Sequence, residues 1–154
     1  EANVITYSAA VSACTKGQHW EGALCILVDL RQAGLQPNVV TYSSAVSACE
    51  RGSRWQQVLV LLDAMAVEGV EANIITYNAA ISALGRAGEW QRALDLLSEA
   101  RRRSLVADAF TYNAAINACP CWPLALRLLN EMEERGITPD IVTYGTTVGA
   151  CERE

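Results

Sequence analysis

The sequence predicts an all-α fold, a solenoid of stacked helix-turn-helix hairpins with about nine helices in all. Three observations predict it. One phrase recurs five times. Two helical patterns fit inside each recurrence. Glycine, proline and Asn or Asp punctuate the joints between them.

The phrase reads NVITYSAA from residue 3, NVVTYSSA from 38, NIITYNAA from 73, DAFTYNAA from 108 and DIVTYGTT from 140. Its tyrosines, Tyr7, Tyr42, Tyr77, Tyr112 and Tyr144, are spaced 35, 35, 35 and 32 residues apart. A fixed period of this length marks an array of supersecondary units. We divide the single array, residues 1–154, into units 4–38, 39–73, 74–108 and 109–140 and a partial unit 141–154.

Each unit yields the same two elements. In the second, a first helix is expected from roughly Thr41 to Glu50, with Ala45, Val46, Ala48 and Cys49 at helical spacing. A second is expected from roughly Arg54 to Val67, with Trp55, Val58, Leu59, Leu61, Leu62 and Met65 inward. That stripe is wide because the helix must touch both its own partner and the next unit. Gly17, Gly52 and Gly88 fall between the two helices, and Gly34, Gly69 and Gly136 follow the second, where a left-handed C′ residue is expected. Pro37 and Pro139 prevent continuation, and Asn38, Asn73, Asp108 and Asp140 are placed to cap the next first helix. Trp20, Trp55, Trp90 and Trp122 open the second helices, where they are expected to wedge between hairpins as core.

The fourth unit is three residues short, and the loss falls in ACPCWP. Pro120 should end the first helix early, while Pro123 suits the first turn of the second helix. A tight turn and a local distortion of the superhelix are expected there.

Composition agrees with a packed domain. The 154 residues are 51% hydrophobic and 19% charged, with a net charge of -5 from 12 basic and 17 acidic side chains. The mild acidity alone argues against a nucleic-acid binder. Cys14, Cys49, Cys119 and Cys151 hold one place in the repeat, and Leu84 holds it in the third unit. A position that exchanges cysteine with leucine is a small core position, not part of a disulfide framework, and a reducing compartment fits it. No apolar run has the length of a membrane helix, so no membrane insertion is expected. The chain begins at Glu1 and ends in CERE partway through a unit, and is expected to be a piece of a longer protein.

The phrases V-x-T-Y-[NS], A-L-x-L-L and G-[IL]-x-P-[DN], on a 35-residue period, resemble the pentatricopeptide repeat in its P-class form over essentially the whole chain. The tetratricopeptide repeat is the nearest rival, but it places its Trp in the first helix and lacks the T-Y-[NS] and P-[DN] phrases.

The resemblance implies a right-handed superhelix whose first helices line a concave groove. Single-stranded RNA lies along it, one base per unit. It implies that the fifth and last residues of a unit read the base edge: Ser8 with Asn38, Ser43 with Asn73, Asn78 with Asp108, and Asn113 with Asp140. It implies that Ile5, Val40, Ile75, Phe110 and Val142 clamp the base faces, and that Gly145 is the reader position of the unfinished unit. The inferred preference is A-A-U-U, 5′ to 3′ with the chain. Read from the residues alone, the same Asn and Asp side chains are equally helix caps, and the Ser and Asn side chains equally solvent-facing polar groups.

Charge placement bears on this choice. Lys16, Arg51 and Arg86 fall at one place in successive units, the end of each first helix, and are expected to contact phosphates; Cys121 holds that place in the fourth unit. Such residues also suit the helix C-terminal dipole. Most acidic side chains fall on the second helices and their turns, among them Glu21, Asp29, Asp63, Glu68, Asp95, Glu99, Glu131, Glu133 and Glu134. Arg101, Arg102 and Arg103 form the one basic run, expected to be the exposed end of a second helix.

Nothing in the sequence supports catalysis, a cofactor, a metal or a small-molecule substrate. His19 is the single histidine, and CPC at 119–121 with one distant histidine does not make a zinc site. Two functions remain. One is sequence-selective single-stranded RNA binding, by resemblance in organellar RNA processing, stability or translation, in chloroplast or mitochondrion. The other is a scaffold that binds protein subunits of a large organellar assembly.

Overall fold

The computed structural model describes residues 3–152. Among them lie nine helices and no strand: α1 Val4–Lys16, α2 Trp20–Gln32, α3 Val39–Arg51, α4 Trp55–Val67, α5 Ile74–Arg86, α6 Trp90–Arg102, α7 Ala109–Ala118, α8 Trp122–Glu134 and α9 Ile141–Cys151. The predicted solenoid is what the chain forms.

The odd-numbered helices start where Asn or Asp caps them. Asn38 Oδ1 accepts the Thr41 backbone N–H at 2.9 Å, Asn73 that of Thr76 at 3.0 Å, Asp108 that of Thr111 at 3.0 Å and Asp140 that of Thr143 at 2.8 Å. Each such cap contributes about 1 kcal/mol. The even-numbered helices have no side-chain cap. Their starts are fixed by the turn before them.

That turn holds Gly17, Gly52 and Gly88, as the sequence predicts. Gly17 and Gly52 keep right-handed backbone, and the left-handed residue is the next one, Gln18 at φ 58° and Ser53 at φ 55°. The following N–H then closes on the carbonyl five residues back, His19 on Cys14 at 3.0 Å and Arg54 on Cys49 at 2.8 Å. Gly52 is required for space rather than for conformation, since a Cβ there would stand 2.5 Å from Trp20 Cδ1. At the ends of the second helices, Gly34, Gly69 and Gly136 are left-handed as expected, and Ser104 takes the same conformation without being glycine.

The helices form two layers. α1, α3, α5, α7 and α9 pack side by side in series, and each of α2, α4, α6 and α8 packs against its own first helix and the next one. This double duty explains the wide apolar stripe. Val46, Val58 and Met65 fill the core between the first hairpins, and Ile81, Leu97, Ile116 and Met132 the core between the later ones. Cys49, Leu84 and Cys119 are fully buried, as their exchange predicted, but Cys14 is half-buried and Cys151, in the last helix with no following hairpin described, is exposed. None of the six cysteines forms a disulfide. Trp55 touches both core clusters, and Trp20 and Trp90 are half-buried. Trp122 is the exception and stays exposed.

α7 has ten residues where α1, α3 and α5 have 13. It ends at Ala118, with Cys119 extended ahead of Pro120, and Pro123 sits in the first turn of α8. Of the Arg run, Arg102 and Arg103 are exposed as expected and Arg101 is not. Arg101 is half-buried and paired with Glu131 on the next hairpin, while Arg103 pairs with Glu99 on its own helix at 2.7 Å.

Candidate nucleic-acid interface

The face of the odd-numbered helices turned away from the outer layer carries an unusual pairing of properties. Ile5, Val40, Ile75, Phe110 and Val142 stand one per hairpin and are 75, 54, 59, 59 and 53% exposed. Leaving large apolar side chains in water at one register position in every copy calls for a ligand, since single surface hydrophobes are ordinary but a regular row is not.

Two of the spaces between these residues are defined clefts. One, of about 370 Å³, lies between Val40 and Ile75 and is lined by Ser43, Asn73, Ser47 and Arg51. The next, of about 250 Å³, lies between Ile75 and Phe110 and is lined by Asn78, Asp108, Ser82 and Glu50. The structure thus brings together Ser43 with Asn73, and Asn78 with Asp108, each pair between two apolar walls.

The pairs are held by a residue the sequence reading left without a role. Thr41 Oγ1 lies 2.7 Å from Ser8 Oγ and donates to Asn38 Oδ1 at 2.9 Å. Thr76 does the same for Ser43, at 2.7 Å, and Asn73, at 2.9 Å. Thr111 lies 2.7 Å from Asn78 Oδ1 and 2.9 Å from Asp108 Oδ1, its single proton shared between them. These threonines are fully buried. Each fixes the fifth residue of one hairpin relative to the cap of the next. The signal was visible: threonine stands before tyrosine in all five copies of the phrase.

The fourth hairpin lacks this link. Thr143 bonds Asp140 at 2.9 Å, but Asn113 reaches Asp140 directly, by its Nδ2 at 3.4 Å. Asn113 Oδ1 is buried without a hydrogen-bond partner. The Thr111–Thr143 spacing is 32 residues instead of 35, which ties the broken link to the shortened unit.

Caps fix the chemistry that each pair presents. A backbone N–H only donates, so it turns Oδ1 of Asn38 and Asn73 toward the helix and leaves the amide NH₂ to face elsewhere. Asp108 and Asp140 satisfy the same N–H with one oxygen and keep a second acceptor. The N–H and hydroxyl of Thr143 hold the exposed Asp140 carboxyl below the usual carboxylate range, so it is an acceptor at neutral pH. The last position is therefore a donor in the first two hairpins and an acceptor in the next two.

The basic row is present but engaged. Lys16 is exposed at the end of α1. Arg51 Nη1 donates to the Thr15 carbonyl at 3.4 Å, and Arg86 Nη2 to the Glu50 carbonyl at 2.6 Å. Both arginines thus also cap the carbonyl end of the preceding first helix. Arg86 is further ion-paired with the Glu50 carboxylate, a groove acid absent from the sequence reading. Among the described residues no group of three or more His, Cys, Asp or Glu is placed to hold a metal, and no helix is long and apolar enough to cross a membrane.

Comparisons with known proteins agree with this geometry. A family model for the pentatricopeptide repeat domain matches residues 1–51 and 123–153, more than half of the chain. One for the PPR repeat family matches 72–120, and one for the PPR repeat matches 40–70. No curated protein sequence matches significantly. Among solved structures, the pentatricopeptide repeat protein PPR10 in complex with an 18-nucleotide psaJ RNA element superimposes with a TM-score of 0.86 at 30% identity, over 97% of this chain. The structure of PPR10 from maize gives 0.79 at 19% identity. The PPR domain of Arabidopsis thaliana protein-only RNase P 1, in complex with tRNA, gives 0.81 at 12% identity and covers 96% of this chain and 79% of its own, a likeness of fold alone. The chain spans about a fifth, 22%, of the PPR10 chain.

Proposed function

The chain belongs to the pentatricopeptide repeat family, and from that premise we propose that it binds single-stranded RNA in its groove and reads one base per hairpin. The observation that carries this reading is the exposed apolar row with a polar pair fixed between its members. Apolar walls suit base faces, which stack on any flat or branched hydrophobe. The PPR10 complex with RNA, 30% identical over nearly all of this chain, supports the same use of the face.

The donor and acceptor pattern narrows each position to two bases, since cytosine accepts at its ring nitrogen as adenine does and guanine donates as uracil does, and the family resemblance selects adenine and uracil from these pairs. The pairing edge of adenine carries a ring nitrogen that accepts, and that of uracil a ring N–H that donates. The amide NH₂ of Asn38 or Asn73 complements adenine. The free carboxylate oxygen of Asp108 or Asp140 complements uracil. With Ser8, Ser43, Asn78 and Asn113 completing each pair, the array prefers A-A-U-U. A mismatched base leaves a desolvated polar group unpaired, at a cost of roughly 1–3 kcal/mol. Ile5, Val40, Ile75, Phe110 and Val142 clamp the bases, and Lys16, Arg51 and Arg86 lie along the backbone path. This assigns no catalytic role to the chain. Family membership supports an organellar setting, chloroplast or mitochondrion, in RNA processing, stability or translation.

Equilibrium binding to short single-stranded RNAs containing A-A-U-U or G-G-C-C, each at two salt concentrations, tests the proposal. Preference for A-A-U-U with affinity falling as salt rises is the expected result. Equal, negligible binding by a fully helical chain overturns it and directs attention to protein partners in the groove.

A further inference from the structure

We propose that Glu50 is an internal competitor for Arg86, holding its guanidinium against the protein and cancelling its charge where an RNA phosphate would approach. This rests on the RNA-binding reading of the groove and assigns one residue a role in setting its affinity.

Glu50 is the penultimate residue of α3, directly before Arg51 in the basic row. Its side chain is 17% exposed, and that of Arg86 is 46% exposed. Glu50 Oε1 accepts from Ser82 Oγ at 3.0 Å as well as from Arg86 Nη2, and the same Nη2 donates to the Glu50 carbonyl at 2.6 Å. Glu50 and Ser82 line the cleft between Ile75 and Phe110 that holds Asn78 and Asp108. The other charged groups lining that cleft are Arg51 and Asp108.

The equivalent positions in the neighbouring units show what is special here. Thr15 and Gly85 stand 35 residues before and after Glu50. Thr15 spends its hydroxyl on the Val11 and Ser44 carbonyls, and Arg51 meets only a carbonyl there. The carboxylate is therefore confined to one step among the first three units, and Glu152 holds the same place in the unfinished last one. A phosphate arriving at Arg86 must share the guanidinium with a covered, already satisfied carboxylate, so that step adds little counterion release.

The test uses the whole 154-residue chain and compares wild type, E50Q, R86A and E50Q/R86A with A-A-U-U and G-G-C-C RNAs across a salt series. Gln retains an acceptor for Ser82. E50Q is expected to bind both RNAs roughly two- to fivefold more tightly, the scale of a partly exposed ion pair. Its salt slope is expected to steepen by about 0.7, the value for one added single-strand phosphate contact. The ratio between the RNAs should stay unchanged. R86A alone leaves the Glu50 carboxylate unneutralised in the groove and should weaken binding to both RNAs, and R86A in the E50Q background should abolish the gain. Thermal melting confirms that each variant is folded. Wild-type binding with no gain in E50Q, or a gain that survives R86A, overturns the proposal and leaves the RNA-binding reading standing. Failure of every variant to bind either RNA overturns both.

Discussion

Ser8 Oγ lies 2.7 Å from Thr41 Oγ1, joining the fifth position of one hairpin to the third of the next across 33 residues of sequence. The bond is buried, and Thr41 also holds the cap Asn38. Stability and the proposed base reading therefore share a residue. The polar pair is fixed before any ligand arrives, which reduces the entropy lost on binding.

Replacing Thr76 by valine tests that link. Valine has the same shape without the hydroxyl, so Ser43 and Asn73 each lose one partner while Ser43 keeps its bond to the Val39 carbonyl at 2.7 Å. T76V should cost about 1 kcal/mol in urea denaturation and weaken discrimination at the second base. T143V should weaken discrimination at the fourth base less, because Thr143 bonds Asp140 at 2.9 Å but not Asn113.

The cap and the reader can be separated at Asn73. N73A removes the 3.0 Å cap bond and should lose about 1 kcal/mol. N73D keeps the cap but converts a donor into an acceptor. It should melt like wild type yet lose the preference for adenine at the second position. Thermal melting and RNA competition read the two effects independently.

The sequence revealed the period, the nine helices, the caps and the shortened hairpin because each depends on local chemistry repeated in phase. What it concealed depends on contacts between hairpins. Thr41 stood in plain view, but its value lies in Ser8, which sits on another helix. Gly52 was legible as the turn residue it is, but not as the space that clears Trp20. Arg86 read as free positive charge because its partner Glu50 belongs to the preceding unit, a distance that local patterns do not span.

Gly85 shows the same principle in the core. A Cβ there would stand 2.9 Å from Ala118 Cβ and 3.3 Å from its Cα. G85A gains about 1 kcal/mol of helix propensity. Forcing α5 and α7 apart costs typically 1–3 kcal/mol, and backbone cannot swing aside, so net destabilisation is expected. The penalty should shrink in an A118G background, and a double-mutant cycle in urea measures that coupling.

Alkaline stability should report two buried groups. Burial pushes the Cys49 thiol up to about 11, and burial with the Glu99 carboxylate pushes Tyr77 up to about 12. Both values are raised on folding. The stability they contribute is present below the unfolded values of 9.0 and 10.0 and is lost as pH rises through the folded ones. Melting temperature should hold steady to about pH 9 and fall toward pH 12. Y77F should blunt the upper part of that fall. Thiol-labelling of the folded chain should reach the exposed Cys25 and Cys151 well before Cys49 and Cys119.

The central claim is that each hairpin reads one base through a fixed donor or acceptor. The most direct measurement rewrites one hairpin. The double variant N78S/D108N gives the third unit the pair found in the first two, Ser with Asn. In competition binding, its preferred sequence should change from A-A-U-U to A-A-A-U, with the other three positions unaffected. A variant that folds and binds RNA but keeps uracil at the third position, or shows no preference there, would contradict the account.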